Sequence, residues 1–443
     1  MSTAPSKTPK KPALKTRLNA LNESLRRTGS TLKKLKPTID SVDTIKRRRV
    51  ARRQASGLHF VLADRIDLLN AALWDRLAGA SVFLSRDYLR VLEAHGPDNV
   101  QPRYAMACDA GGQPVAVMLF QRVRITGDRL RKPGPRKLID TPLEKLDEHL
   151  LVCGNLLVWG ARAFAFVPGT DPALVWHGVG EAMYRLRRAD KLHGESDLAM
   201  VKDFAAGDDT AKDALRLLGY RSVETDPDMV LTLKPSWKTW DDYLASLTSG
   251  YRSAAKRLEK DCAAAGIVLR TVTAAEMAER RHDLHDLYHQ VHQAQGLRLA
   301  SLAEGYLPAM AEALGAGRFV CRVAERDGRW LGFVTTVLDG DTAVGYYVGY
   351  DRPANADAPI YLALLQSTIA DAIGFGAARL SLGRTALEPK AKMGCKPEPL
   401  ACAVRHRVSA LNWITTALTR TASHDEAPER SPFKQSETAA PPA

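Results

Sequence analysis

With 443 residues, 45% of them hydrophobic, the chain is longer than one ordinary domain and can bury more than one core. The net charge of +13 suggests a nucleic-acid binder until it is located: residues 1–53 hold 16 Lys/Arg against Glu23, Asp40 and Asp43, which is the whole excess. The remainder is neutral overall, which excludes a predominantly basic globular part.

Residues 1–12 are rich in Pro, Lys and Ser and are expected to be disordered. Leu14, Leu18, Leu21, Leu25, Leu32 and Leu35 then keep a 3/4 spacing among Lys and Arg, broken at Thr28-Gly29-Ser30. That pattern predicts a short basic amphipathic helix or helix pair. Such a segment suits an anionic membrane surface, tRNA or another nucleic acid, a protein partner, or solvent alone. An Arg-rich, acid-poor start also resembles a transit peptide. The run "KRRRVARR" (46–53) marks the border of a tail covering 1–55.

Cys108, Cys153, Cys262, Cys321, Cys395 and Cys402 are scattered, with no C-x-x-C pair. In a chain of this length they read as reduced thiols in the core of a cytoplasmic protein. No apolar leader opens the sequence. The most apolar stretch, 150–169, is interrupted by Arg162 and glycines, so it reads as core strands and not a membrane span.

From residue 56 the text is globular. "RYAMACDAGGQPVAVMLFQRVRI" (103–125) is strand, Gly-Gly turn, strand, and "RFVCRVAERDGRWLGFVTTVLDG" (318–340) repeats the arrangement. A helical stretch precedes each, at 85–96 and 303–317. The coincidence predicts two copies of one mixed α/β fold, over 56–236 and 270–407. Residues 237–269 between them read as a bridging helix, with Arg252, Lys256 and Lys260 as a basic stripe.

In the second copy a strand at 342–350, a polar loop, a helix at 360–376 and a strand at 377–383 precede "GRTALEPKAKMG" (383–394) and a last strand at 399–407. Residues 408–420 suit a final amphipathic helix and 421–443 a disordered end. "HDLHDLYHQVH" (282–292) aligns His282, His285, His289 and His292 on one helix face. Only His285 and His289 have the spacing of a helical metal pair, and no metal site is assigned.

This order of elements, with "WDDYLASLTSGYRSAAKR" (240–257), "YYVGYD" (346–351) and "GRTALEPKAKMG", resembles the tandem-GNAT proteins of the FemAB-like acyltransferase group. The resemblance covers about residues 75–407. It implies an α/β (mixed α+β) protein of two tandem GNAT-like domains, each a mostly antiparallel mixed sheet flanked by helices. It also implies an N-acyltransferase whose donor, an acyl-CoA or an aminoacyl-tRNA, enters where two strands of the second domain part. No tightly bound cofactor is implied. The acceptor would be a small-molecule amine or a cell-envelope precursor, reached from the cytoplasm or from the inner face of the membrane.

The residues expected to serve the donor are Gly345, Tyr346, Gly349, Arg352, Arg384, Lys390 and Lys392. The two glycines permit a bulge or close backbone approach, and the cations suit a phosphate or carboxylate. Arg352 is the only cation of the loop 351–360, which lacks the glycines usual for GNAT pyrophosphate binding. Candidate bases are Glu388 and His289, and Tyr347 is a candidate acid. Thr385 and Glu388 have capping-box spacing, so a structural role at this junction stays open, as does a non-catalytic scaffold of the same fold.

Overall fold

A computed structural model describes residues 42–127, 147–292, 299–408 and 428–434. The leucine pattern at 14–35, the helix expected at 408–420 and most of the C-terminal end lie outside the described residues. The basic run 46–53 belongs to a helix, α1 (Val42–Ala51), and the turn after it.

The first module then comprises β1 (His59–Ala63), α2 (Ala71–Ala78), α3 (Arg86–His95), β2 (Val100–Cys108), β3 (Pro114–Thr126), β4 (Asp147–Cys153), β5 (Phe164–Phe166), α4 (Pro172–Ala189), β6 (Leu198–Ala205), α5 (Asp209–Leu217) and β7 (Arg221–Thr232). The second comprises α6 (Trp240–Ser246), α7 (Ser249–Ala264), β8 (Val268–Val272), α8 (Ala274–Glu279), α9 (Arg281–His292), α10 (Tyr306–Leu314), β9 (Phe319–Arg326), β10 (Arg329–Asp339), β11 (Thr342–Tyr350), α11 (Arg352–Asp357), α12 (Ile360–Gly374), β12 (Arg379–Ser381), α13 (Leu387–Lys392) and β13 (Lys396–His406).

Local chemistry accounts for most of these elements. The β9–β10 turn places Asp327 and Gly328 at φ 52° and 76°, the two positive values a tight hairpin requires. In the β2–β3 turn the Asp109 carboxylate accepts the N–H groups of Gly111 and Gln113, both at 2.9 Å. Ser85 caps α3, and Asp171 with Pro172 starts α4. The expected bridging helix is two: α6 has a capping box from Thr239 and Asp242, and extended Leu247 and Thr248 separate it from α7. The apolar stretch 150–169 likewise divides into β4, a loop and the short β5.

The strands form one sheet in the order β1-β2-β3-β4-β6-β13-β7-β12-β11-β10-β9-β8, with β5 beside β3. Each module runs antiparallel from its outer edge and ends in one parallel pair, β4 with β6 and β11 with β12. The centre is an exchange. β13 of the second module lies between β6 and β7 of the first, while β7 of the first lies between β13 and β12 of the second. Neither module closes its own sheet.

On one face, α2, α3, α9 and α10 bury a core shared by both modules, with Trp74, Tyr88, Leu284, Tyr288, Tyr306 and Phe333 among its residues. On the other face, α4 and α5 cover the first module, and α7, α12 and α13 cover the second. Tyr88 and Tyr306 stand at matching places, each followed by Leu near the start of the helix that precedes a hairpin. Their hydroxyls meet at 3.1 Å.

Because each sheet is completed by the other module, the two should unfold together. Calorimetry is expected to give a single transition whose calorimetric and van't Hoff enthalpies agree. Two resolved transitions would contradict the exchange.

Candidate active site between the parted strands

β11 and β12 pair only through Thr342–Arg379, Ala343–Leu380 and Val344–Ser381. Beyond Ser381 the chain leans toward β7: the Leu382 N–H donates to Met229 O at 2.9 Å, and the Met229 N–H to Gly383 O at 3.2 Å. Among the described residues β11 continues to Tyr350 without a strand on that side. Its other edge is bulged, since Val348 faces Val334 but Gly345 already faces Thr336. The Thr335 hydroxyl accepts the Tyr347 N–H at 3.0 Å, filling the gap in the ladder.

The bulge turns both Tyr346 and Tyr347 toward the shared core, with ring centroids 4.6 Å apart. Tyr346 ends a buried hydrogen-bonded chain. Its hydroxyl lies 2.8 Å from that of Tyr306, which bonds Tyr88, and Asn155 Nδ2 donates to Tyr88 at 2.6 Å. Asn155 Oδ1 accepts from Gln121 at 3.2 Å. The Tyr347 hydroxyl donates to Leu157 O of the first module at 3.2 Å. Burial pushes both phenols well above the usual phenolic range, so they stay protonated at neutral pH.

The two glycines of β11 allow close approach. A Cβ on Gly349 would lie 2.6 Å from the backbone of Leu287 and Tyr288, so this glycine lets α9 press onto the strand. A Cβ on Gly345 would lie 2.8 Å from Leu382. Both contacts are made by the chain itself.

On α9, His285 Nε2 and His289 Nε2 are 2.8 Å apart, so one ring donates to the other. Burial, then the neighbouring His289, depresses the His285 pKa. Among the described residues His289 Nδ1 is buried without a partner. Tyr288 stacks on His292 and meets Tyr347 edge-on, which joins the histidine face to the bulge. His282 instead faces Glu304 at the exposed end. Among the described residues no group of three or more His, Cys, Asp or Glu stands together as metal ligands.

The β12–α13 junction is arranged differently from the expected capping box. Ala386, at φ 53°, precedes the helix, and the third helical residue is Pro389, which has no N–H to cap. Arg384 forms an ion pair with Asp203 of β6, whose side chain is fully buried. Lys202 pairs with the same carboxylate, and the Gly160 N–H donates to it at 3.0 Å. Burial alone would raise the Asp203 pKa, but the two cations outweigh it and hold the group ionised.

Lys390, 2% exposed, donates to Gly383 O at 3.1 Å, and burial lowers its pKa to about 8. Close by, Asp228 accepts from the Ser381 hydroxyl at 2.7 Å and the Gly383 N–H at 2.9 Å. The Trp159 indole N–H donates to Ser381 at 3.0 Å. Glu388 is exposed and paired with Arg430 at 2.8 Å and Lys392 at 3.4 Å, with Arg430 first in depressing its pKa. It therefore takes a proton only under acidic conditions.

Arg352 opens α11, where Asp351 is the N-cap, and its backbone N–H donates to Gln290 at 3.1 Å. At the start of the following α12, Asn355 accepts the Tyr361 N–H at 2.8 Å and Ala358 O accepts the Ile360 N–H at 2.7 Å. Two donors expected to face a phosphate are thus bonded within the chain.

The fold brings Tyr346, Tyr347 and His289 onto one aromatic face. It gathers Arg384 and Lys390 into buried polar clusters, leaves Glu388 and Lys392 on the surface, and keeps Arg352 apart. Asp203, Asp228, Trp159, Asn155 and the Tyr88–Tyr306 pair were not singled out by the sequence. The repeated Tyr-Leu ahead of each hairpin was the one signal that could have found any of them.

Asp203→Ala leaves two partly buried cations unneutralised and is expected to cost up to about 3–5 kcal/mol in urea denaturation. Arg384→Ala should cost less, because Lys202 and Gly160 still hold the carboxylate. Lys390→Met removes an ammonium that burial disfavours and is expected to stabilise the protein at pH 7, by at most about 3 kcal/mol because Asp228 loses a nearby cation. In the wild type the unfolded chain binds more protons between the lowered pKa and the ordinary one, so stability climbs there with pH. The advantage of Lys390→Met should therefore fade between pH 8 and 10.5.

Residues 249–391 match the family model described as an acetyltransferase (GNAT) domain. No curated protein matches the sequence. Among solved structures the chain is similar to FemX, at 11% identity and a TM-score of 0.47 over 77% of this chain and 96% of that one. A tandem GNAT protein from the clavulanic acid biosynthesis pathway gives 12% identity and 0.47 over 79% and 98%. The L-PGS structure from Bacillus licheniformis gives 12% and 0.42 over 75% and 95%. The family match falls on the module whose strands part at Val344 and Ser381, so the likeness to an acetyltransferase (GNAT) domain covers residues 249–391.

Proposed function

We propose that the protein transfers an acyl group from an activated carboxyl donor to an amine, in the cleft between β11 and β12. The observation that carries this reading is the parting of the two strands after three residue pairs, beside the bulge at Tyr346–Tyr347. Peptide groups of β11 beyond Val344 have no strand partner on that side and can bond the amides of an extended donor arm, as an added strand would. The preferred donor is an acyl-CoA-type thioester. The acceptor, a small-molecule amine or cell-envelope precursor, approaches from the face of α9 and the first module.

In such a reaction the acceptor ammonium first loses a proton, and its nitrogen then bonds the acyl carbon. A backbone N–H of the open strand can hold the resulting oxyanion. Collapse breaks the carbon–sulfur bond, the thiolate leaves with a proton from the acid, and the nitrogen's remaining extra proton is shed to the acid in its place as the amide forms. The His285–His289 pair suits the first step, because the two rings are hydrogen-bonded and burial favours the neutral imidazole of His285. Tyr347 keeps its proton and suits the last.

One observation favours a second reading. Asn355 and Ala358 occupy the first N–H groups of α12, which a pyrophosphate would otherwise use. An aminoacyl-tRNA donor does not need that contact, and the basic residues of 1–53 would attract it. The same tail suits a peripheral position on an anionic membrane.

Thermal shift with coenzyme A and with charged tRNA, followed by transfer to a panel of amines, tests the proposal. Stabilisation by coenzyme A and acyl transfer from acetyl-CoA are expected; tRNA-dependent transfer alone would select the second reading. A response to neither would leave only a scaffold. His289→Ala should slow turnover about 10²–10⁴-fold with little change in stability. An unchanged rate would remove the imidazole from the mechanism.

A further inference from the structure

Most half-buried arginines of this protein face a carboxylate. Arg103 meets Asp190 at 3.0 Å, Arg322 meets Asp371 at 2.6 Å, and Arg270 bridges Glu276 and Glu325. Two half-buried arginines and one exposed arginine at the end of β13 remote from the cleft do not. Arg405 on β13 lies over the Tyr220 ring, 6.0 Å from its centroid. This follows from the register: Val404 faces Arg221, so the next residue faces Tyr220. Arg187, in the last turn of α4, donates through Nε to Ser196 O at 3.2 Å. Arg52, just after α1, donates through Nε to Leu218 O at 3.2 Å.

Among the described residues none of the three forms an ion pair with a carboxylate. The nearby acids Glu195 and Asp197 are both held by Arg407. Tyr220 itself is buried. The backbone also makes room: Gly219 has φ +91°, and a Cβ there would stand 1.9 Å from a terminal nitrogen of Arg52. Burial first, and Arg405 second, weakens proton binding by both Arg52 and Arg187. Like charges from three separate elements are therefore held together, and Asp197, the carboxylate that favours the Arg187 cation, is itself paired with Arg407. Such an arrangement suits an external anion with several oxygens, which planar guanidinium groups can grip in pairs.

We propose that Arg52, Arg187 and Arg405, gathered around Tyr220, form a binding site for a phosphate group on the first module, separate from the acyl-transfer cleft. A soluble phosphorylated compound and an anionic lipid headgroup share that chemistry. Because the site lies at the end of β13 away from Lys396, it can be occupied together with the cleft.

Full-length protein would be titrated with inorganic phosphate at constant ionic strength and its Tm compared with that of the Arg187→Gln/Arg405→Gln double variant. A saturable rise is expected for the wild type and none for the variant, which keeps the basic tail intact. Without phosphate the variant should be at least as stable as the wild type, because repulsion is relieved. Arg405→Lys, which keeps the charge but loses the fork, should shift half-saturation to several-fold higher phosphate. An equal rise in wild type and double variant, no rise in either, or a double variant markedly less stable without phosphate would overturn the proposal. Given the phosphate response, co-sedimentation with phosphatidic acid vesicles identifies the source: loss of binding in the double variant indicates a lipid headgroup, and equal binding a soluble compound.

Discussion

Every other feature depends on the exchange of β7 and β13. A sheet edge is a row of unpaired peptide groups, and each module has a gap that only the other's last strand fills. Satisfying those groups forces the two halves into one sheet and fixes their relative position to the accuracy of a hydrogen-bonded register. The shared core around Tyr88 and Tyr306 then follows, because the helices of one face have no separate cores to build. This explains how residues 181 positions apart, Asp203 and Arg384, meet as an ion pair.

The parted strands are a consequence of the same arrangement. β12 is drawn toward β7 after Ser381, while β11 is held by β10 through its bulge. The groove opens because two neighbours pull adjacent strands in different directions. Loop residues from the first module close its inner side, where Leu157 meets Tyr347 and Trp159 meets Ser381. A module in isolation would lack these walls. The cleft is therefore a property of the pair, although the residues of the matching domain model come from one half.

The polar groups near the cleft divide by burial. Asp203, Lys202 and Arg384, and likewise Asp228 with Ser381, neutralise or bond one another, with Arg384 Nε left without a partner among the described residues. The histidine pair keeps capacity at His289 Nδ1, and the bulged tyrosines hold their hydroxyls on Tyr306 and on Leu157 O. Cations alone do not mark a binding site here. At the junction after β12 they answer buried carboxylates, whereas among the described residues none of Arg52, Arg187 and Arg405 forms an ion pair with a carboxylate.

What the sequence determined by itself was local. Asp-Gly between two apolar runs set the β9–β10 hairpin, the spacing of apolar residues set α12, and the repeated order of helix and hairpin announced two modules. A neutral globular part and a charged tail were plain from composition. The break at Leu247–Thr248, the three-residue length of β12 and the exchange of β7 with β13 came from tertiary structure, because a strand's own residues do not specify which neighbour it joins. Arg384 illustrates the limit: its surroundings in sequence are glycine and threonine, and its role was decided by a carboxylate that long-range strand pairing buried beside it. Periodicity reports which side of an element is covered, and only the assembled sheet decides what covers it.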